Sequence, residues 1–203
     1  MSEYTYYTIA DKAEGLYREK GSRFMAFAYP VLSSDEAMEI VKQVKKEYHN
    51  ARHHTFAYII GFDQEEYRLN DDGEPSSTAG KPIHGQLLAN NLTNVLVVVI
   101  RYFGGVKLGV GGLINAYRQA TIDVLNNSKI IKKEVLERHS IRFDYSNMND
   151  VMKILKEYDL KQENHQFDLE SYLEFILPKN LSEKVLGEFG NIEGVKLEFI
   201  SEF

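Results

Sequence analysis

The chain has 203 residues, 43% hydrophobic and 27% charged, which is the composition of a soluble globular protein long enough for one domain or two. It has no cysteine, and its longest strongly apolar run is Val95 to Ile100; this excludes disulfides, thiolate chemistry and a membrane helix, and we expect a cytoplasmic protein. The net charge of −6 lies in the last third, where Leu136 to Phe203 hold 8 basic and 14 acidic residues, which excludes a basic stripe for nucleic acid there.

The first half of the chain predicts strands around one helix. β-branched and aromatic patterning places the strands at Tyr4–Thr8, Arg23–Tyr29, Thr55–Ile60 and Tyr67–Leu69, the last two paired like a hairpin across residues 61–63. Between them, an apolar stripe at helical spacing predicts a helix from about Asp35 to Tyr48. Ser33 or Ser34 can cap this helix.

Two glycine-rich loops, residues 70–80 and 101–112, each precede a segment with a helical pattern. Pro82 fits the first turn of a helix that runs to about Asn90. The continuous apolar run from Val95 to Ile100 predicts a strand covered on both faces. After the second loop we expect a helix from about Leu113 to Asn126. The first part of the chain is therefore a mixed α/β or α+β domain.

The last third changes character after a polar break at residues 126–134. Its pattern predicts the order β-α-β-β-α-β, with elements at Glu137–Tyr145, Asn149–Tyr158, Lys161–Phe167, Ser171–Leu177, Asn180–Phe189 and Val195–Ser201. This order defines the ferredoxin-like unit. We therefore predict an α+β protein with one domain at residues 1–135 and a ferredoxin-like domain at residues 136–203.

The second loop has the composition of an anion site. Its glycines permit close approach of a ligand to the backbone, and free N–H groups at the start of the following helix favour a phosphate or carboxylate. Arg101, Lys107 and Arg118 can bring positive charge to the same place. The Walker and dinucleotide fingerprints both fail here. The alternative is that the glycines only let strand, turn and helix pack tightly.

The first loop concentrates carboxylates. Asp71, Asp72 and Glu74 can hold Mg²⁺ through oxygen ligands, or they can accept hydrogen bonds from backbone N–H groups and make the turn rigid. The calcium-loop pattern is not met. Ser77 or Thr78 can cap the helix that begins near Lys81.

Histidines cluster just before the third predicted strand. His49 and His53 have the i, i+4 spacing of a helical metal pair, but the helix ends between them and no His-Glu-x-x-His frame is present. We favour hydrogen-bonded histidines at the head of the strand. A serine triad has no support, since no Gly-x-Ser-x-Gly elbow occurs.

Several motifs in chain order carry a resemblance to a known family. They are Lys20-Gly-Ser-Arg-Phe24, Ala51-x-His53, Ala57-Tyr58, Asp71-Asp-Gly-Glu-Pro75, Thr78-Ala-Gly-Lys-Pro82, Arg101-Tyr-Phe-Gly-Gly-Val-Lys-Leu-Gly109, Gly111-Gly-Leu113 and Ala116-Tyr117. With them the whole N-terminal part resembles the YigZ/IMPACT family, and the C-terminal part looks like the smaller domain of its bacterial members. Thr55, Ser77, His84 and Asn115 depart from the usual residues of the family.

The resemblance implies a first domain with the fold shared by a small-subunit ribosomal protein and the GHMP kinases, and a second domain similar to modules of elongation factor G. For eukaryotic members it implies regulation of translation under amino-acid starvation, by competition for an activator of an initiation-factor kinase. Bacterial members have no settled activity, and bacteria lack that kinase. The resemblance therefore suggests translation as the setting without naming a reaction.

We expect a non-enzymatic protein that binds the ribosome, RNA or a translation factor through a phosphate-like anion site, without a cofactor or a metal and without membrane contact. The alternative is a small enzyme or sensor for a phosphate-containing ligand, with Mg²⁺ held by the acidic loop. The ligand-binding residues expected for either function are Asp71, Asp72, Glu74, Thr78, Lys81, Arg101, Tyr102, Gly104, Gly105, Lys107, Gly109, Gly111, Gly112 and Arg118.

Overall fold

A computed structural model describes residues 4–166 and 170–203 of the chain. They divide into two compact units. The N-terminal unit holds residues 6–133, and the C-terminal unit holds residues 4–5, 134–166 and 170–203. Each unit has its own antiparallel sheet and its own helices, so the α+β prediction is confirmed. In the described part of the chain, no helix is both long and apolar enough to cross a membrane.

The N-terminal unit is built on a five-stranded sheet. The elements in chain order are β1 (Thr5–Ile9), β2 (Ala13–Glu19), β3 (Ser22–Pro30), α1 (Ser34–Glu47), β4 (His53–Ile60), β5 (Glu66–Asn70), α2 (Gly80–Ala89), β6 (Val95–Tyr102), α3 (Gly109–Asn126) and β7 (Ile130–Glu134). The sheet has the order β2-β3-β6-β4-β5 with antiparallel pairing throughout. β1 and β7 form a separate two-stranded sheet.

Strand β6 occupies the middle of the five-stranded sheet and is buried on both faces, as its apolar run predicts. Val95, Val97 and Val99 pack with residues of α2 and α3, whereas Leu96, Val98 and Ile100 pack with residues of α1. Because successive side chains of a strand point to opposite faces, Arg101 continues the α2–α3 side and Tyr102 the α1 side. This alternation decides which of the two reaches the site described below.

Helix α1 begins as predicted at a serine cap. Ser33 Oγ accepts a hydrogen bond from Glu36 N at 3.2 Å, and the Glu36 carboxylate accepts one from Leu32 N at 2.7 Å. One orphan N–H group at this helix start is thus satisfied by the cap, and Glu36 also holds the residue that precedes the cap. Of the two predicted caps, Ser33 is the residue that acts.

Strand β2 and strand β7 were not predicted from the pattern. β2 is an edge strand with several charged residues, and Gly15 interrupts its β-propensity. A Cβ at Gly15 would lie 2.5 Å from Val124 N, so the glycine allows β2 to approach α3 closely. β7 lies in the segment interpreted as a polar break, since Lys132, Lys133 and Glu134 give it no apolar alternation.

The C-terminal unit has the predicted ferredoxin-like order. Its elements are β8 (Leu136–Asp144), α4 (Met148–Glu157), β9 (Lys161–Gln166), β10 (Glu170–Pro178), α5 (Ser182–Gly190) and β11 (Lys196–Glu202), with short 3-10 turns before α4 and α5. The sheet order is β11-β8-β10-β9, and all pairs are antiparallel. The predicted strand end at Phe167 and connection at residues 168–169 lie outside the described residues.

Candidate anion-binding site

The first acidic residue of the loop before α2 caps that helix. Asp71 Oδ1 accepts hydrogen bonds from Ala79 N at 2.9 Å and Gly80 N at 2.8 Å, and its Oδ2 accepts one from Ser77 N at 2.8 Å. The cap predicted from Ser77 or Thr78 is therefore wrong. The N-cap position is Ala79, which has no side-chain acceptor, and Thr78 donates to a carbonyl of its own loop. The carboxylate reaches the helix start from the beginning of the loop.

The second acidic residue ties the same loop to α1 and β4. Asp72 Oδ1 accepts a hydrogen bond from Lys45 Nζ at 2.8 Å, and its Oδ2 accepts one from His54 N at 2.7 Å. Burial alone would raise the pKa of Asp72, but these two donors outweigh it and lower the pKa. The carboxylate is thus held ionised as part of the scaffold.

The third acidic residue is buried. Glu74 Oε1 accepts hydrogen bonds from Arg101 Nη1 at 2.6 Å and Tyr117 Oη at 2.8 Å, and it lies 3.9 Å from His53 Nε2. Burial, together with the nearby carboxylate, raises the pKa of Tyr117, so its hydroxyl stays a donor. Glu74 therefore neutralises Arg101, one of the cations predicted for the site.

The three carboxylates have three separate sets of partners, which favours the interpretation that they make the loop rigid. Among the described residues, no group of three or more His, Asp or Glu side chains is arranged to hold a metal ion. The histidines behave as hydrogen-bonded strand residues: His53 Nδ1 lies 2.9 Å from Asp72 O, and His54 Nε2 lies 2.9 Å from Tyr48 O. Since a carbonyl oxygen only accepts, His53 Nδ1 carries a proton, and Nε2 is the nitrogen directed toward Glu74.

A cavity of about 450 Å³ opens at the start of α3. We call it the α3 cleft, and it is lined by Arg52, His53, Gly73, Glu74, Pro75, Arg101, Phe103, Lys107, Leu108, Gly109, Val110 and Leu113. Among the described residues that line it, the only carboxylate is Glu74, which is paired with Arg101, whereas Arg52 and Lys107 are exposed. The cleft therefore carries an excess of positive charge.

The start of α3 differs from that of α2 in having no cap. Leu108 is the N-cap residue and makes no side-chain hydrogen bond, and the first turn contains no acidic residue. The helix begins at Gly109 and not at the predicted Leu113, because the glycines interpreted as loop form its first turn. The first four N–H groups of a helix have no partner within it, so those of α3 need partners from outside the helix, and the first two helical residues, Gly109 and Val110, line the cleft.

Arg101, which also lines the α3 cleft, has a hydrogen-bond donor that no described residue accepts. Its side chain is 7% exposed, and among the described residues its Nε has no hydrogen-bond partner. A buried donor without a partner is costly and is usually matched by water, an ion or a ligand. Because this atom is itself buried, it does not open into the cleft, and the uncapped start of α3 is the observation that points to an anion there.

Four more of the predicted site residues are distributed over three places. Lys81 and Arg118 line a second cavity of about 540 Å³ between α2 and α3, which we call the α2–α3 groove; its lining is Ser77, Lys81, Pro82, His84, Gly85, Gln86, Leu88, Ile114 and Arg118. Tyr102 lies on the opposite face of the sheet and donates to Asn50 Oδ1 at 2.8 Å. Gly104 packs against the β2–β3 turn, and its N–H donates to Ser22 Oγ at 3.1 Å.

The cleft also contains residues that were not predicted as ligands. Arg52, His53 and Phe103 line it, and Tyr117 supports it through Glu74. The signal for His53 was present, since it stands in the Ala51-x-His53 motif and faces Arg101 in the β4–β6 register. Phe103 likewise stands inside the Arg101–Gly109 motif, whereas nothing local to the sequence marks Arg52; the two line one cleft because β4 and β6 are adjacent.

A third cavity of about 420 Å³ lies beside β2 and α3. It holds both acids and bases, Glu14 and Asp123 with Arg18 and Arg23, and none of the predicted site residues. Asp123 is already engaged there by the backbone N–H of Leu16 at 2.8 Å. Its balanced charge makes it a poorer anion site than the α3 cleft.

Fold and site together define an α+β protein whose N-terminal unit carries a basic, glycine-rich cleft. The family profile described as the Impact N-terminal domain matches residues 20–125, more than half of the chain. The protein therefore belongs to the IMPACT family.

Relatives extend the similarity over both units. IMPACT family member YvyE from Bacillus subtilis is 34% identical over 175 residues, covering 84% of this chain and 81% of the relative. IMPACT family member YigZ from Escherichia coli is 32% identical over 161 residues, covering 78% and 79%. A crystal structure described as that of a hypothetical protein superposes with a TM-score of 0.77 at 27% identity and covers 98% of both chains.

Proposed function

We propose that the protein is a non-enzymatic regulator of translation that binds RNA, on the ribosome or free, by placing a phosphate group in the α3 cleft. The observation that carries the proposal is the uncapped start of α3 in a cavity whose one carboxylate is already paired. Helix N-termini favour phosphate through free N–H groups and the helix dipole. The connection to translation rests on family membership and on the role that the resemblance implies for eukaryotic members.

The two glycine-rich loops have different roles, and this difference supports the proposed function. Asp71 supplies the acceptors that α2 requires, and Glu74 orients Arg101 in the wall of the cleft. The second loop leaves the start of α3 without a side-chain cap and places exposed Lys107 in the same cleft. The first loop is thus a rigid support, and the second is the binding element. Contacts of this kind to phosphate position a nucleic acid without reading its sequence.

Binding to ribosomes and to structured RNA at low salt tests the proposal. We expect co-sedimentation with ribosomes or a shift of labelled RNA that weakens as salt rises, because phosphate contacts release counterions. Lys107→Ala should weaken binding, whereas Lys129→Ala, an exposed lysine outside the cleft, should not. If neither ribosomes nor RNA bind at low salt, the proposed function is wrong.

A small phosphate-containing ligand is the second candidate, favoured by the size of the cleft. A volume of about 450 Å³ lies within the range of small-molecule sites. A native-state ligand raises thermal stability, so nucleotides and phosphorylated metabolites, with and without Mg²⁺, should raise the melting temperature. A rise without RNA or ribosome binding would favour a sensor or an enzyme over a translation regulator.

A further inference from the structure

The exposed face of α3 connects the two cavities of the N-terminal unit. Val110 lines the α3 cleft, and Ile114 and Arg118 line the α2–α3 groove. These residues are four apart, which places them on one side of the helix. Val110 and Arg118 are exposed, and Ile114 is partly exposed. The cleft and the groove are therefore the two ends of one surface, which we call the α3 path.

Each end of the α3 path combines positive charge with an aromatic ring. At the cleft, Arg52 and Lys107 lie with Phe103, which is 48% exposed. At the groove, Lys81 and Arg118 lie with His84. The His84 ring also pairs with Tyr67, with ring centroids 4.8 Å apart.

The charge along the path is of one sign. No carboxylate is present among the described residues that line the groove, and the one in the cleft is paired with Arg101. Apolar side chains are exposed at both ends, with Val110 59% exposed in the cleft and Leu88 47% exposed in the groove. Cations with rings and apolar side chains beside them match the phosphates and bases of a single strand, which proteins bind by charge and stacking.

We propose that the α3 path binds one single-stranded segment of RNA at two points, with one phosphate in the α3 cleft and another near Lys81 and Arg118 in the α2–α3 groove. This inference rests on the proposed function, because it specifies how RNA would lie on the protein. From residue 110 to residue 118 the helix rises about 12 Å. At about 3.4 Å of axial spacing per nucleotide in a stacked strand, the segment between the two points is about three to four nucleotides long.

Titration of the full chain with labelled oligouridylates of two and eight nucleotides tests the proposal. The eight-nucleotide strand should bind with a stoichiometry of one and severalfold more tightly than the two-nucleotide strand, because only the longer one reaches both ends. Lys107→Ala and Arg118→Ala should each weaken its binding severalfold. Each should also reduce the salt slope by about 0.7, the value for one phosphate contact of a single strand.

The controls separate this inference from the proposed function. Lys129→Ala removes an exposed lysine away from the path and should leave binding unchanged, and thermal melting should show that each variant is folded. If Lys107→Ala weakens binding and Arg118→Ala does not, the two-point path is wrong, and the cleft as an RNA site stands. Two strands bound per chain would also overturn the path. So would a blunt duplex that binds more tightly than the single strand and is weakened by the same two substitutions. Absence of binding to any RNA or ribosome overturns both proposals.

Discussion

At the scale of single residues, Glu74 holds the candidate site together. Its side chain is only 3% exposed, and it contacts a guanidinium and a hydroxyl that come from β6 and α3. Removing one partner of a buried ion pair is far more costly than replacing both, because the remaining charge has neither water nor a counter-charge. The pair therefore fixes the position of Arg101 at the wall of the cleft.

We expect Glu74→Gln to destabilise the protein by about 3–5 kcal/mol, since it leaves Arg101 buried without a counter-charge. Tyr117→Phe removes one hydrogen bond to the same oxygen and should cost about 1–2 kcal/mol. Urea denaturation measures both, and the double variant Glu74→Gln with Arg101→Met should be less destabilised than the sum of its single changes. Equal costs for Glu74→Gln and Tyr117→Phe would contradict this account.

Asp72 predicts a dependence of stability on pH. Its pKa is lowered in the folded protein, so its contribution is complete above the ordinary aspartate pKa of about 3.9 and is lost as the pH falls through the lower folded value. Lys45→Met removes the donor that lowers this pKa most. At pH 7 it should cost up to about 1 kcal/mol, and the difference should be smaller at a pH well below about 3.9, where protonation of Asp72 begins to remove the charge that Lys45 contacts.

Urea denaturation of both proteins at the two pH values measures this difference. Lys46→Met changes an exposed lysine of the same helix and serves as the control. The same cost for Lys45→Met at both pH values would show that Asp72 is not the group responsible.

At the scale of the elements, the glycines of the second loop have different roles. A Cβ at Gly104 would lie 1.9 Å from Gly21 C in the β2–β3 turn, so this position is closed to any side chain. A Cβ at Gly111 would meet nothing within 4 Å, and Gly111 lies in the first turn of α3. Tight packing therefore explains Gly104, whereas it leaves Gly111 at the edge of the cleft unexplained.

This difference gives a matched pair of substitutions. We expect Gly104→Ala to cost at least about 1–3 kcal/mol, because the turn must shift to make room. Gly111→Ala should be neutral or stabilise by up to about 1 kcal/mol, because alanine favours the helix. Thermal and urea denaturation provide the measurement. If Gly111→Ala also weakens RNA binding without loss of stability, close approach to a ligand is the reason for the glycine. A destabilisation by Gly111→Ala as large as that by Gly104→Ala would contradict the assignment.

On the scale of the whole molecule, the two units differ in core and in charge. The N-terminal unit packs two apolar clusters on the two faces of its sheet, and the C-terminal unit has one cluster of its own. The excess of acidic residues lies between Leu136 and Phe203, so attraction for phosphate has to come from local groups in the N-terminal unit. The acidic part of the chain would oppose non-specific binding to nucleic acid.

The separate cores predict that the domains proposed at residues 1–135 and 136–203 unfold independently. Leu173→Ala should remove about 2–5 kcal/mol from the C-terminal unit and raise amide exchange in β8 and β10, with β3 and β6 unchanged. Leu87→Ala should instead raise amide exchange in β3 and β6 and leave exchange in β8 and β10 unchanged. Hydrogen exchange read by mass spectrometry distinguishes them. Equal loss of protection in both units after either change would show that the chain unfolds as one body.

Local physics made much of the fold predictable. The apolar run Val95–Ile100 required a strand covered on both faces, and the pair Ser33 and Ser34 marked the start of α1. The βαββαβ order of the last third followed from alternating patterns of period two and period 3.6. These signals depend on residues a few positions apart, which is why they can be recognised without tertiary structure. Edge strands such as β2, with charges and a glycine, carry no such signal.

The sequence by itself determined that two glycine-rich loops, one acidic and one basic, precede helices and belong to a family signature. Only the tertiary structure decided what each loop does. It brought Glu74 to Arg101, which lies 27 positions away, used Asp71 to cap α2, and left α3 uncapped. It also placed Arg118 and Lys81 in a groove apart from Arg101. The reason is physical: a cap or an ion pair is satisfied by whichever side chain the packed strands bring within hydrogen-bond distance, and sequence separation does not set that distance.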